Sequence, residues 1–357
     1  MKSFDPVGPL LVYGARLAGR QVRRDLEARG WPVLGFLDRD DGLGEVDGLP
    51  VWRAEAWAQA HEAAGATVVV GIFNAHVDTR DVHDLLERLG FGRVFGLVEF
   101  VRAYPQGQPF RYWLVDPRFY EDHADRIGAL RARLADLTSQ ELLDRLVAYR
   151  TLGNPRSLPE VSPRQYHPAD LPNWPQRLRF IDCGAYTGDT VLDMQAAGYE
   201  FDALATFEPN LANYRTLVAG LAGITGVHLP CGVSDENTLG GFDPSLGAGG
   251  HLVETGGDPV ICVRLDDALP VFAPNLIKMD IEGEEPAALR GAEALLRRYR
   301  PGLAISVYHR AEHLWTICEQ LDALQLGYRF HLRCHAQSSF DTVLYAIPNS
   351  LAQEKNP

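Results

Sequence analysis

The chain has few cysteines, and no two of them are close together. Cys183, Cys231, Cys262, Cys318 and Cys334 are odd in number, widely spaced, and form no C-x-x-C pair. That pattern excludes a disulfide framework and a thiolate zinc site, and it suits a reducing compartment. Long apolar runs are missing too. No stretch approaches the roughly 18 apolar residues of a membrane helix, and the N-terminal run PLLVY is too short and too glycine-broken for a signal peptide. A soluble, cytoplasmic protein with no membrane partner is the expectation. Positive charge is in deficit, at a formal net charge of −13. Such a surface repels phosphate backbones, which argues against nucleic acid as substrate or partner. The dinucleotide fingerprint G-x-G-x-x-G is also absent, so a nicotinamide cofactor is not expected.

What is present is a globular composition, 46% hydrophobic and 23% charged, in 357 residues. That length exceeds a single typical core and predicts two domains. Residues 1–104 alternate strands (PLLVY, PVLGFLD, ATVVVGI, RVFGLV) with helical patterns, which predicts βαβ units in a small Rossmann-like domain. Residues 105–177 read as a helical connector followed by a proline-rich arm, NPRSLPEVSPRQYHPADLPNWP, which cannot hold regular structure. Loops of that length are usually lids or linkers. From residue 178 to 357 strands and helices alternate again. The last two strands, YRFHLRCH and TVLYAIP, are joined without a helix and should pair antiparallel. The expected fold class is α/β: a class I methyltransferase sheet, parallel with one antiparallel strand, behind the smaller Rossmann-like domain.

Three motifs in the second half carry chemistry. In FIDCGAYTGDT, Asp182, Gly184, Tyr186, Thr187, Gly188, Asp189 and Thr190 span a strand-to-helix turn, where glycine lets a ligand approach the backbone. An acidic residue there suits the ammonium of S-adenosylmethionine and would repel pyrophosphate. Glu208, in ATFEP at the next strand tip, can accept both ribose hydroxyls of a nucleoside. Ser234 and Asp235, ending what reads as a third strand (VHLPCGVSD), are then placed to contact adenine.

The third motif is IKMDIEGEE. Asp280 and Glu282 sit at a strand tip, where they could hold a substrate hydroxyl, act as general base, or coordinate a divalent cation. Lys278 reads as packing its stem along that strand. His309 ends the following strand, where a histidine can accept a proton from a hydroxyl. HRAEH (309–313) matches the inverted zincin pattern, but His309 ends a strand and the next helix begins near Ala311, so both histidines do not share a helical face.

The order IDCGAYTGDT, FEPN, GVSD, IKMDIEGEE, RGAEALLRRYRP, SVYHRAEHLW, GYRFHLRCH, TVLYAIP resembles FkbM-family methyltransferases over roughly residues 178–348. LADLTSQELLDRLVAYRTLGN and QYHP resemble the segment preceding the catalytic domain in one branch of that family. The resemblance implies O-methylation, with S-adenosylmethionine, of a hydroxyl on a sugar, nucleotide sugar or glycosylated natural product. It implies cofactor roles for Asp182, Gly184, Gly188 and Glu208, and active-site roles for Asp280, Glu282 and His309, with Tyr166 of the arm reaching the acceptor. Some members need a divalent cation, so magnesium or manganese stands as an open expectation. A nucleotide-sugar oxidoreductase or epimerase, or a non-catalytic nucleotide-sugar binding protein, are the alternatives.

At the N-terminus, GARLAG places Arg16 where a dinucleotide fingerprint has its second glycine, which obstructs pyrophosphate. The segment resembles the small domain preceding sugar acyltransferases, which holds part of a nucleotide sugar. That implies substrate contacts for Gly14, Arg16, Gly19 and Asp38. The competing expectation is a domain kept for packing or for assembling a homo-oligomer.

Overall fold

The computed structural model describes residues 4–105, 112–243, 251–253 and 257–352. It divides into two compact units, one of Met1–Ile127, Glu141–Val161 and Ala336–Phe340, the other of Gly128–Gln140, Ser162–His335 and Asp341–Pro357. Residues 105–177, read as connector and arm, are thus shared between the two units. No helix among the described residues is long and apolar enough to cross a membrane.

The first unit contains β1 (Leu10–Tyr13), α1 (Leu17–Ala28), β2 (Gly35–Leu37), β3 (Glu45–Val46), β4 (Leu49–Trp52), α2 (Ala54–Ala60), β5 (Thr67–Val70), α3 (Thr79–Arg88), β6 (Arg93–Phe95) and α4 (Leu97–Ala103). Three further helices follow, α5 (Arg118–Asp122), α6 (Ala124–Arg133) and α7 (Leu137–Leu152), the last two crossing from one unit to the other. The strands order as β3-β4-β2-β1-β5-β6. Every residue of the central strands β1 and β5 is buried, as expected of parallel strands covered on both faces. The antiparallel β3–β4 hairpin was not foreseen. It turns on Asp47 and Gly48, both with positive φ (51° and 78°), the backbone of a two-residue type I′ turn.

The second unit holds a seven-stranded sheet. Its parts are β7 (Arg177–Cys183), α8 (Asp189–Ala196), β8 (Glu200–Phe207), α9 (Leu211–Gly220) and β9 (Val227–Leu229). Four short elements intervene, β10 (Gly232–Val233), β11 (Thr238–Asp243), β12 (His251–Val253) and β13 (Asp258–Val263), then α10 (Leu265–Ala268). The main sheet resumes with β14 (Leu276–Met279), α11 (Glu285–Gly291), α12 (Glu293–Tyr299), β15 (Gly302–Ser306), α13 (His313–Ala323), β16 (Tyr328–Cys334), β17 (Thr342–Pro348) and α14 (Asn349–Ala352). Strand order is β16-β17-β15-β14-β7-β8-β9, with β17 antiparallel to both neighbours and the rest parallel. This is the expected class I methyltransferase sheet. The winding reverses between β7 and β14, so their C-terminal tips flank the point where such sheets bind ligands.

Three expectations need correction. VHLPCGVSD is not one strand: Pro230 has no N–H to continue the ladder, and the chain passes from β9 into a second sheet ordered β10-β13-β11-β12. EEPAALRGAEALLRRY is two helices, because Asp266 accepts from Ala294 N (3.0 Å) and Leu295 N (2.9 Å) and starts α12 afresh. The proline-rich arm is irregular but forms part of the core. Tyr166, Leu171 and Trp174 are buried with Phe180, Leu276, Ala304 and Tyr345. Trp174 donates its indole N–H to Tyr166 O (2.6 Å), and its ring fills the space a Cβ on Gly302 would need, 2.4 Å from Cζ3.

Candidate active site

The turn between β7 and α8 is set by Gly184, at φ +77°. A Cβ there would lie 2.0 Å from the carbonyl oxygen of Asp280, so the glycine admits the neighbouring strand's backbone rather than a ligand. Asp182 is fully buried, with Oδ1 3.0 Å from Lys278 Nζ, which also donates to Gly184 O at 2.6 Å. Burial pushes the Asp182 carboxyl up to about 6 against the pull of the lysine. Asp182 is therefore paired with a buried lysine, and Lys278 does more than pack its stem.

Glu208, at the tip of β8, is 6% exposed. Its Oε2 accepts from Tyr186 N (2.8 Å) and its Oε1 from Asn210 N (2.9 Å). Burial raises its pKa, and these two amides hold it back. Oε1 also accepts from Asn213 Nδ2 (3.5 Å), so Oε2 is the oxygen that keeps a further acceptor position for a ribose hydroxyl. Tyr186 carries a strained φ of +45° and is exposed, while Gly188 (φ +88°) is the N-cap of α8. Thr187, Asp189 and Thr190 lie in the same turn, Asp189 exposed and Thr190 buried. Ser234 and Asp235 follow β10 and lie off the main sheet. Asp235 is occupied by Arg290, at 2.8 Å.

Beyond β14 a second group gathers. Asp280 Oδ2 accepts from the Tyr166 hydroxyl at 2.9 Å, and Oδ1 lies 3.3 Å from His309 Nε2. Glu282 Oε1 is 3.7 Å from the same nitrogen, and its φ of +58° marks a strained turn. His309 Nδ1 is 2.7 Å from Glu285 Oε1, whose other oxygen is 3.2 Å from His313 Nδ1. His309 and Glu285 side chains are both 0% exposed. Burial alone would lower the imidazole pKa, but Glu285 first, then Glu282 and Asp280, raise it to about 10. That direction favours the charged ring, which donates rather than accepts. Asp280, Glu285 and His309 each offer one donor atom within 4.8 Å of the others, the spacing of a cation site.

The structure thus brings Asp280, Glu282, His309 and Tyr166 together, as expected, and adds Glu285 and His313. The strand expected to end at His309 stops at Ser306 and the helix expected near Ala311 starts at His313, so HRAEH contributes a histidine from the loop after β15 and the first residue of α13, both turned to Glu285.

In the first unit a cavity of about 310 Å³ opens at the tips of β1 and β5, lined by Gly14, Arg16, Asp38, Phe73 and Asn74 among others. Asp38 accepts from Ala15 N (2.8 Å) and Asp40 N (3.0 Å), and exposed Arg16 pairs with Asp40. Gly19 lies outside that lining. A Cβ on it would sit 1.7 Å from Gly14 O, so it serves the seating of α1.

Residues 182–330 match the family model of the methyltransferase FkbM domain. A crystal structure of methyltransferase FkbM from Methylobacillus flagellatus KT superposes at TM-score 0.78 and 22% identity, covering 95% of this chain and 89% of that one. At that identity the likeness concerns the fold. Fibrillarin from Aeropyrum pernix, solved with natively bound S-adenosyl-L-methionine, overlaps at a TM-score of 0.33 and 13% identity over 50% of this chain and 70% of that one, too little to carry an argument. No curated protein matches the sequence. Residues 182–330 of the second unit are therefore similar to the methyltransferase FkbM domain, and the chain as a whole shares the fold of an FkbM methyltransferase structure.

Proposed function

We propose that this domain transfers the methyl group of S-adenosylmethionine to a hydroxyl of a sugar, nucleotide sugar or glycosylated natural product. One observation carries the reading: the side chain of Asp280 lies between the Tyr166 hydroxyl and the His309 ring at the point where the sheet reverses its winding. Tyr166 keeps its proton, since burial and Asp280 both raise its pKa, so it remains a donor to Asp280. The Tyr166 hydroxyl donates to one oxygen of Asp280 and His309 Nε2 lies 3.3 Å from the other, which leaves Asp280 as the acceptor for the hydroxyl proton. Bound S-adenosylmethionine would supply the methyl group, an O–CH3 bond forming as the sulfonium C–S bond breaks, and the hydroxyl proton would pass to Asp280. Much of the rate would come from alignment of the reacting pair. S-adenosylmethionine fits the residues present at Glu208, whose Oε2 keeps an acceptor position that suits a ribose hydroxyl. Asp182, being buried and paired, takes no direct part in that fit. All five cysteines are free and buried, in keeping with a cytoplasmic protein.

The cavity of the first unit supports a further part of the reading, that it takes the nucleotide portion of a nucleotide-sugar acceptor. Gly14, Arg16 and Asp38 would be the contacts. Calorimetry with uridine diphosphate tests this, and undiminished binding to Arg16→Ala would remove Arg16 from the site.

The main test is Asp280→Asn. Tritium transfer from methyl-labelled S-adenosylmethionine into a panel of sugars and sugar nucleotides should fall roughly 100-fold or more, the usual worth of a general base. Cofactor affinity should stay within about twofold, because Asp280 lies outside the cradle built by Glu208. Full transfer by the variant would end the general-base assignment.

A further inference from the structure

Glu285 is a buried carboxylate with four neighbours drawn from three separate pieces of chain. Its Oε1 accepts from Ile281 N at 3.0 Å, from Gly283 N at 3.5 Å and faces His309 Nδ1 at 2.7 Å. Its Oε2 lies 3.2 Å from His313 Nδ1. An acidic residue in the first turn of a helix ordinarily faces solvent and favours the dipole. This one heads α11 yet is 0% exposed, turned inward under the loop that carries Asp280 and Glu282. We propose that Glu285 is a positioning residue for methyl transfer: it ties the loop after β14 to the chain after β15 and aims the His309 ring so that Nε2 faces Asp280. The inference rests on the reading that Asp280 takes the acceptor proton, and deepens it by naming what holds Asp280's partner in place.

The geometry leaves the ring little choice. Tyr308 packs against it at 4.2 Å between centroids, Glu285 takes Nδ1, and Asp280 and Glu282 face Nε2 at 3.3 and 3.7 Å. His313 reaches the group only through Glu285. Carboxylate–histidine pairs of this kind fix the tautomer and orientation of a functional imidazole. Removing the carboxylate's charge while keeping its shape frees the ring to turn and to lose its proton. Glu285→Gln does that, because the amide oxygen can still accept from Ile281 N.

The test uses the full chain labelled with 13C at histidine Cε1, the His309 signal being identified by its loss in His309→Asn. In the wild-type protein that signal should keep its charged-ring position from pH 6 to pH 9. In Glu285→Gln it should move toward the neutral position within that range, while S-adenosylmethionine affinity by calorimetry stays within twofold. An unchanged His309 signal in the variant overturns the proposal, and so does a tenfold loss of cofactor affinity, which would mark a general structural role. Should the variant not fold, the wild-type measurement still decides: a neutral His309 at pH 7 overturns the assignment. A wild-type chain that binds no S-adenosylmethionine would sink the proposed activity, and the histidine titration would still report on Glu285.

Discussion

The two units solve the same local problem in the same way and then diverge. In each, the first strand runs into a glycine-bearing turn, and an acidic residue at the tip of the second strand accepts a backbone N–H from that turn. Asp38 takes Ala15 N at 2.8 Å, and Glu208 takes Tyr186 N at 2.8 Å. On the other side of the first strand the resemblance ends. The first unit presents Gly71, Ile72, Phe73 and Asn74 after β5, whereas the second presents Asp280, Glu282 and Glu285 after β14 and His309 after β15. A nucleotide-type cradle is thus a property of the fold, and the chemistry depends on what the neighbouring strand tips carry.

The largest break in the comparison should come from filling its glycines. Gly184→Ala would press a methyl onto Asp280 O, and Gly19→Ala onto Gly14 O. Each should cost its own unit roughly 3 kcal/mol or more, as a backbone clash at a fixed turn. Limited proteolysis should show Gly184→Ala cut first within residues 162–335 and Gly19→Ala within residues 1–103. Cleavage of the same unit in both variants would contradict the assignment.

A moderate effect should separate the two acidic residues. Glu208→Gln is expected to weaken S-adenosylmethionine binding about tenfold, within the range for hydrogen bonds to a charged group. Asp38→Asn should leave it unaltered. Calorimetry on both variants checks this, and equal losses would mean the cofactor does not distinguish the units.

A pH-linked effect belongs to the second unit. His309 titrates near 6.5 when exposed and at about 10 in the fold, so the folded state holds its proton more tightly. The stability this contributes is complete below about pH 6.5 and is lost as pH rises through about 10. The urea midpoint of the wild type should fall over that range more than that of His309→Asn, and parallel curves would refute the coupling. Smallest of all should be the effect of metal removal. Because the imidazolium supplies the positive charge among Asp280, Glu282 and Glu285, exhaustive EDTA treatment should leave methyl transfer within twofold. Loss of activity and its recovery with magnesium or manganese would replace the proton with a cation.

Much of this was legible in the sequence where local pattern and topology agree. Strand–helix alternation and the helix-free link before TVLYAIP were enough for the class of sheet and its single antiparallel strand. Asp280, Glu282 and His309 could be grouped because each follows a strand, and strand tips converge. The failures have local causes. The hairpin at Asp47-Gly48 carried an overt turn signal in a segment too short to read as strands. Pro230 was passed over although it cannot sit in a central ladder. Glu285 looked like any acidic residue opening a helix, and its partners lie 24 and 28 residues further on. Lys278 and Asp182 stand in register on adjacent strands, so pairing the two central strands would have put them on one face.

The arm bears on how the molecule is made. Trp174 rests on Gly302 and lies 6.4 Å, centroid to centroid, from the ring of Tyr345, contacts spanning 128 and 171 positions of sequence. During N-to-C synthesis the arm leaves the ribosome before either partner exists. Closing contacts over such separations is slow, because chain entropy must be spent before they return anything. The core of the second unit therefore cannot close until β17, nearly the last element of the chain, has emerged, and until then Trp174 and its neighbours are exposed apolar surface of the kind that chaperones bind.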